Sequence, residues 1–370
     1  MGNFKSQHSL RLNSGMMKYD QIIIYYFSGT GNAKNAAKWI INVAEEQGIK
    51  ARLINIDRFE KIEPPALAKR TLVGFCSPTH GFNMPPIVLK FINRFPRVEK
   101  TDAFILNTRG GLKLYKFFLP GLSGLAQIWT AFILSLKGFR IVGMQPLDLP
   151  SNWLILHPAL REKVVNSIYQ RCHRIVDDFA QKILGGKRKF KALISLPFDI
   201  AIIPISIGYY LVGRFFLAKT LIATDACDMC EKCINQCPVE AIKMINDRPF
   251  WSYRCESCMR CVHSCHVRAI ETTHSFSTTL ILLSSLVISP LLIKMLDHLG
   301  AWEWINRSGI TENIWSLVYA FIFLVFVFIS YRVLHILMRY RFVNRIIAYT
   351  SFSKYKFWRR YKAPKTYPPE

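Results

Sequence analysis

Acidic residues are scarce in this 370-residue chain: 24 Asp and Glu face 49 Lys and Arg, for a formal charge of +25 at pH 7. Charged residues of both signs reach only 20%, whereas 51% are apolar, which excludes intrinsic disorder. An apolar h-region is missing from the first eighteen residues, so no secretory signal is expected. Met1-Gly2-Asn3-Phe4-Lys5-Ser6 fits the loose myristoylation pattern, although Met16 or Met17 serves equally well as a start. The chain also has neither a dinucleotide GxGxxG nor the Gly-Lys-Ser/Thr of a P-loop, which argues against direct NAD(P)H oxidation.

What is present divides along the chain, whose length allows two or three domains. Residues 21–26 form a continuous apolar run, too short for a helix and rich in β-formers, the pattern of a fully buried parallel strand. Further strands are expected at 51–56, 71–76, 103–108 and 139–145, with helices after the first strand and near 84–95 and 158–184. Such alternation predicts a doubly wound α/β parallel sheet over residues 19–185, behind an N-terminal extension at 1–18. An apolar connector follows at 186–222, then a cysteine-rich block at 223–271.

Two uncharged runs, 275–293 and 313–331, are long enough to cross a bilayer as a helical hairpin within 272–331. The segment between them holds two basic and three acidic residues, and the 332–370 tail holds ten basic and one acidic. By the positive-inside rule the tail and everything before residue 275 lie in the cytoplasm, against the cell inner membrane. The basic excess thus faces membrane lipid, and nucleic-acid binding is not expected. Residues 117–136 and 193–212 are also apolar. A crossing there would tear the sheet or separate the domains, so both are expected to pack on the sheet or lie in the membrane interface, with two extra spans as the alternative.

Clustered thiols without export point to metal binding. Cys227, Cys230, Cys233 and Cys237, followed by Pro238, are repeated as Cys255, Cys258, Cys261 and Cys265. This is the bacterial-type iron–sulfur run given twice, in which the fourth cysteine of each run ligates the other cluster. The expected ligand sets for two [4Fe–4S] clusters are Cys227, Cys230, Cys233 and Cys265, and Cys255, Cys258, Cys261 and Cys237. Zinc is the alternative, although it favours paired CxxC knuckles. The block resembles two-cluster bacterial ferredoxins, small α+β domains, with His266 where the first repeat has Pro238. His266 can turn the chain less rigidly or donate to a sulfur. Cys76 and Cys172 fall outside the pattern and are expected to pack as small apolar side chains.

Ser28, Gly29, Thr30, Gly31 and Asn32 form a loop between the first strand and the first helix, where backbone N–H groups converge on an anion. In a doubly wound sheet the ligand lies at the strand ends where the winding reverses. Two further loops are therefore implicated, one with Pro78, Thr79, His80 and Gly81, the other with Asn107, Thr108, Arg109, Gly110 and Gly111. Residues 28–32 match the phosphate loop of flavodoxins, and that resemblance implies FMN, its phosphate on the first loop and its ring between the others. A stacking aromatic is not obvious; His80 and Phe82 are the candidates.

The two patterns together resemble the flavodoxin–ferredoxin fusion proteins of bacteria and archaea, over residues 19–185 and 223–271. The resemblance implies electron transfer between flavin and clusters and names no donor or acceptor. Three functions compete: a membrane-anchored electron carrier, a flavin-dependent reductase of a quinone or other lipophilic acceptor, and a redox sensor whose flavin site is empty.

Overall fold

The computed structural model describes residues 18–61 and 67–364. The myristoylation pattern and the alternative starts Met16 and Met17 lie outside these residues. Strands β1 (Gln21–Tyr26), β2 (Lys50–Asn55), β3 (Thr71–Pro78), β4 (Thr101–Leu114), β6 (Phe139–Pro150) and β7 (Lys189–Phe190) form one parallel sheet in the order β2-β1-β3-β4-β6-β7. A β-strand points successive side chains to opposite faces, so the unbroken apolar run of β1 serves two cores. Ile22 and Ile24 meet α1 (Asn32–Glu46) and α4 (Glu162–Leu184). Ile23 and Tyr25 meet α2 (Pro86–Arg94) and the end of α3 (Leu125–Leu136). This is the flavodoxin-like doubly wound architecture, with its reversal beside β1 and β3.

The 117–136 run is not one helix. Phe117–Leu119 forms β5, antiparallel to the extended end of β4, and α3 begins only after Gly124, whose φ of 53° breaks the run. Ala126, Thr130 and Leu134 face the protein, while Trp129, Phe132 and Leu136 are exposed. The connector folds as Lys191–Ala201 and Ile203–Ala218, bent by 78°, and contains α5 (Leu196–Ala201), α6 (Ile203–Gly208) and α7 (Arg214–Ala218). Pro197 and Pro204 stand in the first turns of α5 and α6, where a missing N–H is harmless. Asp199, the sole charge in 193–212, is buried and accepts the Ser123 and Gly124 N–H groups, both at 2.8 Å. Leu193, Ile194, Phe198, Ile200 and Ile205 remain exposed.

The cysteine block is a small α+β unit. Strand β8 (Leu221–Ala223) pairs with β11 (Ile270–Thr272), and β9 (Ile242–Ile245) with β10 (Arg248–Trp251), around the short helices α8 (Lys232–Asn235) and α9 (Arg260–Ser264). Its halves repeat in backbone as well as sequence: positive φ recurs at Met229 and Ser257, Glu231 and Met259, and Glu240 and Arg268.

Helices α10 (His274–Leu283) and α11 (Ser289–His298) join through a π-helical turn into His274–His298. After α12 (Ala301–Asn306) comes α13 (Gly309–Leu337), and both long helices are apolar and long enough to cross a membrane. Tyr253 Oη donates to the Leu324 carbonyl (2.8 Å) and Tyr331 Oη to the Leu221 carbonyl (2.9 Å), joining α13 to the cysteine unit. Beyond α14 (Arg341–Tyr349) the basic tail does not hang free toward lipid but folds back across both domains. Arg360 pairs with Glu271 at 2.7 Å, Trp358 Nε1 donates to the Leu154 carbonyl at 2.7 Å, and the Ala363 N–H reaches the Thr30 carbonyl at 3.1 Å.

At the other end of the sheet, Asp102 on β4 receives Tyr19 Oη (2.6 Å), Lys18 Nζ (2.9 Å) and the Arg140 guanidinium. Burial alone would raise its pKa, but these donors outweigh that and hold it at about 2. A depressed carboxyl contributes stability above its unfolded pKa and loses it as pH falls through the folded value. Asp102→Asn should cost about 1–2 kcal/mol near pH 7, discounted for the solvent-facing Lys18 and Arg140. Thermal melting of the full chain should show this difference shrinking between pH 4 and pH 2.

Candidate redox site

The eight cysteines fall into two groups. Cys227 and Cys233 lie within electrostatic reach of Cys265, and Cys227 of Cys230. Cys237 lies in the same way beside Cys255, Cys258 and Cys261. Each group draws three thiols from one repeat and one from the other. Backbone N–H groups already point at the sulfurs, Ala241 to Cys237 (3.3 Å), Ala269 to Cys265 (3.2 Å) and Ser257 to Cys255 (3.4 Å). Such donors suit sulfurs that ligate a metal; at Cys255 burial outweighs the Ser257 donor and pushes the thiol up to about 12.

Spacing bears on which metal fits. Tetrahedral zinc, with Zn–S near 2.3 Å, would bring its thiolates to about 3.8 Å of one another. Among the described residues no three cysteine sulfurs lie within 4.8 Å of one another. A four-iron cluster carries each thiolate on a separate iron and accepts the wider spacing. Of the cysteines in the two runs, Cys230 alone is exposed. His266 Nδ1 lies 3.9 Å from its sulfur, while His266 Nε2 pairs with Asp228 at 2.8 Å. Cys76 and Cys172 are buried away from both groups; burial pushes the Cys172 thiol up to about 12.

The glycine loop turns at Gly31 (φ 108°), whose N–H donates to Ser28 Oγ at 3.1 Å as α1 begins. Beside it lies a cavity of about 60 Å³, lined by Ser28, Gly29, Thr30 and Asn32, by Pro78, Thr79 and His80, and by Thr108, Arg109 and Gly110. Pro150, Ser151, Asn152 and Cys258 close it. Gly31, Gly81, Asn107 and Gly111 do not line it. Gly31 borders the adjoining groove under the tail. Asn107 is buried in hydrogen bonds to Thr79, Ser123 and Gln127. Gly111 pairs with Pro150 in the sheet.

Several candidate side chains turn out to organise the loops. Asn32 Nδ2 donates to the Pro150 carbonyl (2.9 Å), and its Oδ1 lies 2.7 and 2.6 Å from the hydroxyls of Tyr169 and Tyr361. Arg109 is buried and paired with Asp148 at 2.7 Å, so its charge is spent inside the protein. His80 differs. Burial lowers its pKa to about 4, leaving it neutral at physiological pH, and its buried Nδ1 has no partner among the described residues. The aromatic that sequence reasoning missed comes from the connector: Tyr209 covers Gly81, where an added Cβ would lie 2.1 Å from the ring, and stands 5.9 Å from Trp153.

The phosphate end of FMN fits what is there: a helix N-terminus, the Ser28 and Thr30 hydroxyls, and a cavity sized for a few waters. The ring would lie toward His80 and Gly81, and the present volume does not hold it while Tyr209 rests on Gly81.

The two sites share a wall. A Cβ on Gly29 would sit 2.0 Å from the Cys258 carbonyl oxygen, so any other residue would push the loops apart. Arg260, between Cys258 and Cys261, donates to the Ser28 carbonyl (2.7 Å) and the Gln236 carbonyl (3.3 Å) and pairs with Asp57. One guanidinium thus joins the glycine loop to both halves of the second thiol group.

No family model matches this chain, and no curated protein does. Among solved structures it is similar to an archaeal flavodoxin at 20% identity and TM-score 0.28, covering 44% of this chain and 98% of that one. It is also similar to two-electron reduced Megasphaera elsdenii flavodoxin at 14% identity and TM-score 0.30, covering 44% and 99%. A flavone reductase matches at 12% identity and TM-score 0.30, covering 46% and 67%.

If each thiol group holds a cluster, serine in place of Cys237 should damage the one on Cys255, Cys258 and Cys261, and serine in place of Cys265 the one on Cys227, Cys230 and Cys233. Low-temperature EPR of the reduced variants should show a different cluster signal lost in each. Equal loss of both signals in each variant would contradict the crossed grouping.

Proposed function

We propose that this chain is a membrane-anchored iron–sulfur flavoprotein that passes electrons between two [4Fe–4S] clusters and FMN on the cytoplasmic side of the inner membrane. The observation that carries the reading is the closure of the glycine loop on Cys258 through Gly29 and Arg260. The clusters would supply one-electron steps and the flavin the exchange between one- and two-electron chemistry.

The chain's own groups then have separable tasks. Cys230 and His266 put the first thiol group at the protein surface, where an external partner can approach. Cys258 puts the second group against the glycine loop. Ser28 and Thr30 would hold the phosphate, and neutral His80 would offer a hydrogen bond toward the ring without adding charge. Asp199 and Ser206 pin the connector beside that ring position: the Ser206 hydroxyl donates to the Phe82 carbonyl at 3.0 Å, the same carbonyl that accepts the Leu125 N–H at 2.9 Å.

That pinning favours a second reading, reduction of a quinone or other lipophilic acceptor. The connector and α3 meet at Phe82 and both present apolar side chains outward, Phe198 and Ile205 on one, Trp129 and Phe132 on the other. A lipophilic molecule in the membrane interface would reach the ring position along these surfaces.

Detergent-purified protein prepared anaerobically should contain about eight iron atoms per chain, and FMN near one per chain. Clusters without flavin would leave only the redox-sensing alternative. Oxidation of the dithionite-reduced protein by a soluble menaquinone analogue would select the reductase, and no reaction would select the carrier.

A further inference from the structure

We propose that the groove between α14 and the two redox domains binds the phosphate headgroup of an anionic phospholipid. The groove measures about 1170 Å³ and is walled by α14, the returning tail, the start of α4 and Thr224–Ala226. Eight of its lining side chains are Lys or Arg and three are acidic. Two buried donors on residues that line it lack acceptors among the described residues. Asn344, 3% exposed, accepts the Asp225 N–H through Oδ1 at 3.2 Å, while its Nδ2 is unpartnered. Arg360 spends Nη2 on Glu271 at 2.7 Å, and its buried Nη1 is likewise unpartnered. Leaving buried N–H groups unmade is costly, and both call for an oxygen acceptor.

The position of α14 identifies the source of that acceptor. Three residues separate the helix from the end of α13, at the cytoplasmic end of the proposed span. Phe342, Ile346 and Tyr349 are exposed along one side, while Asn344 and Ala348 are buried on the other. α14 is therefore amphipathic, and with α13 as a span it would lie in the membrane plane with its apolar side toward acyl chains. Basic pockets at the cytoplasmic ends of spans suit phosphate headgroups. The site rests on α13 being a span, which reconstitution reads separately.

The test uses the full chain, delipidated in mild detergent and titrated with short-chain phosphatidylglycerol, phosphatidylcholine or inorganic phosphate, with bound lipid counted by native mass spectrometry. Phosphatidylglycerol should saturate near one per chain and phosphatidylcholine should not. Arg341→Gln with Arg345→Gln, both exposed positions, should weaken phosphatidylglycerol binding roughly 30-fold with iron content unchanged. Equal binding of both lipids, or an unaffected double variant, would overturn the proposal. Displacement of bound phosphatidylglycerol by equimolar inorganic phosphate would reassign the groove to a free phosphate ligand. Binding of an acidic ferredoxin in place of lipid would reassign it to a protein partner. Failure of the chain to enter lipid nanodiscs would instead count against the membrane reading itself.

Discussion

Everything in this molecule turns on the place where Arg260 and Gly29 meet. Burying a guanidinium is expensive unless its charge and its N–H groups are all answered. Here Asp57 answers the charge, and the Ser28 and Gln236 carbonyls take further hydrogen bonds. The three partners come from the glycine loop, the residue run after β2, and the peptide just before Cys237. The geometry can form only if the sheet and the cysteine unit dock in one register. Glycine at position 29 permits the approach, because a side chain there would collide with the Cys258 carbonyl.

Two straps hold that register from opposite sides. The connector crosses the second loop, with Asp199 capping Ser123 and Gly124 and Tyr209 lying on Gly81. The tail crosses the first loop, where Asn35 donates to the Pro364 carbonyl at 2.9 Å and Tyr361 reaches Asn32. Lys219 marks the joint with the long apolar helix α13. Its ammonium is buried among the rings of Phe250, Tyr253, Phe328 and Tyr331, at 4.5 to 5.5 Å from their centroids. Cation–π attraction of this kind strengthens out of water. It ties connector, cysteine unit and α13 together at one point.

The parallel sheet was legible because its strands are apolar on both faces and punctuated by glycine-bearing loops, as residues 21–32 illustrate. Both long apolar helices were legible because each is an uncharged run of about twenty residues in the sequence. The break within 117–136 was hidden because β5 is a short hairpin arm on Leu112–Leu114, and its Phe-Phe-Leu runs on into α3 with little change in apolar composition. Asp199 read as a stray charge in an apolar run; only the fold supplies the two N–H groups it accepts. Tyr209 escaped notice for a similar reason, because the aromatic beside the ring position comes from the connector and not from the loops themselves. The tail's ten basic residues suggested a lipid-facing segment. Its hydrogen bonds to residues more than 300 positions away, such as Asn35, cannot be inferred from composition. Gly29 was read for the phosphate it would face. Its second reason, the Cys258 carbonyl, became visible only when the domains were placed together.

The central claim is that the glycine loop and the second thiol group form one electron path through the Gly29–Cys258 contact. It is tested most directly by reducing the anaerobic full-length protein in a stopped-flow instrument and following flavin bleaching in wild type and in Gly29→Val. A Gly29→Val chain that keeps its iron and FMN but bleaches its flavin at least ten-fold more slowly after cluster reduction is the predicted result. Bleaching at the wild-type rate in that loaded variant would contradict the account.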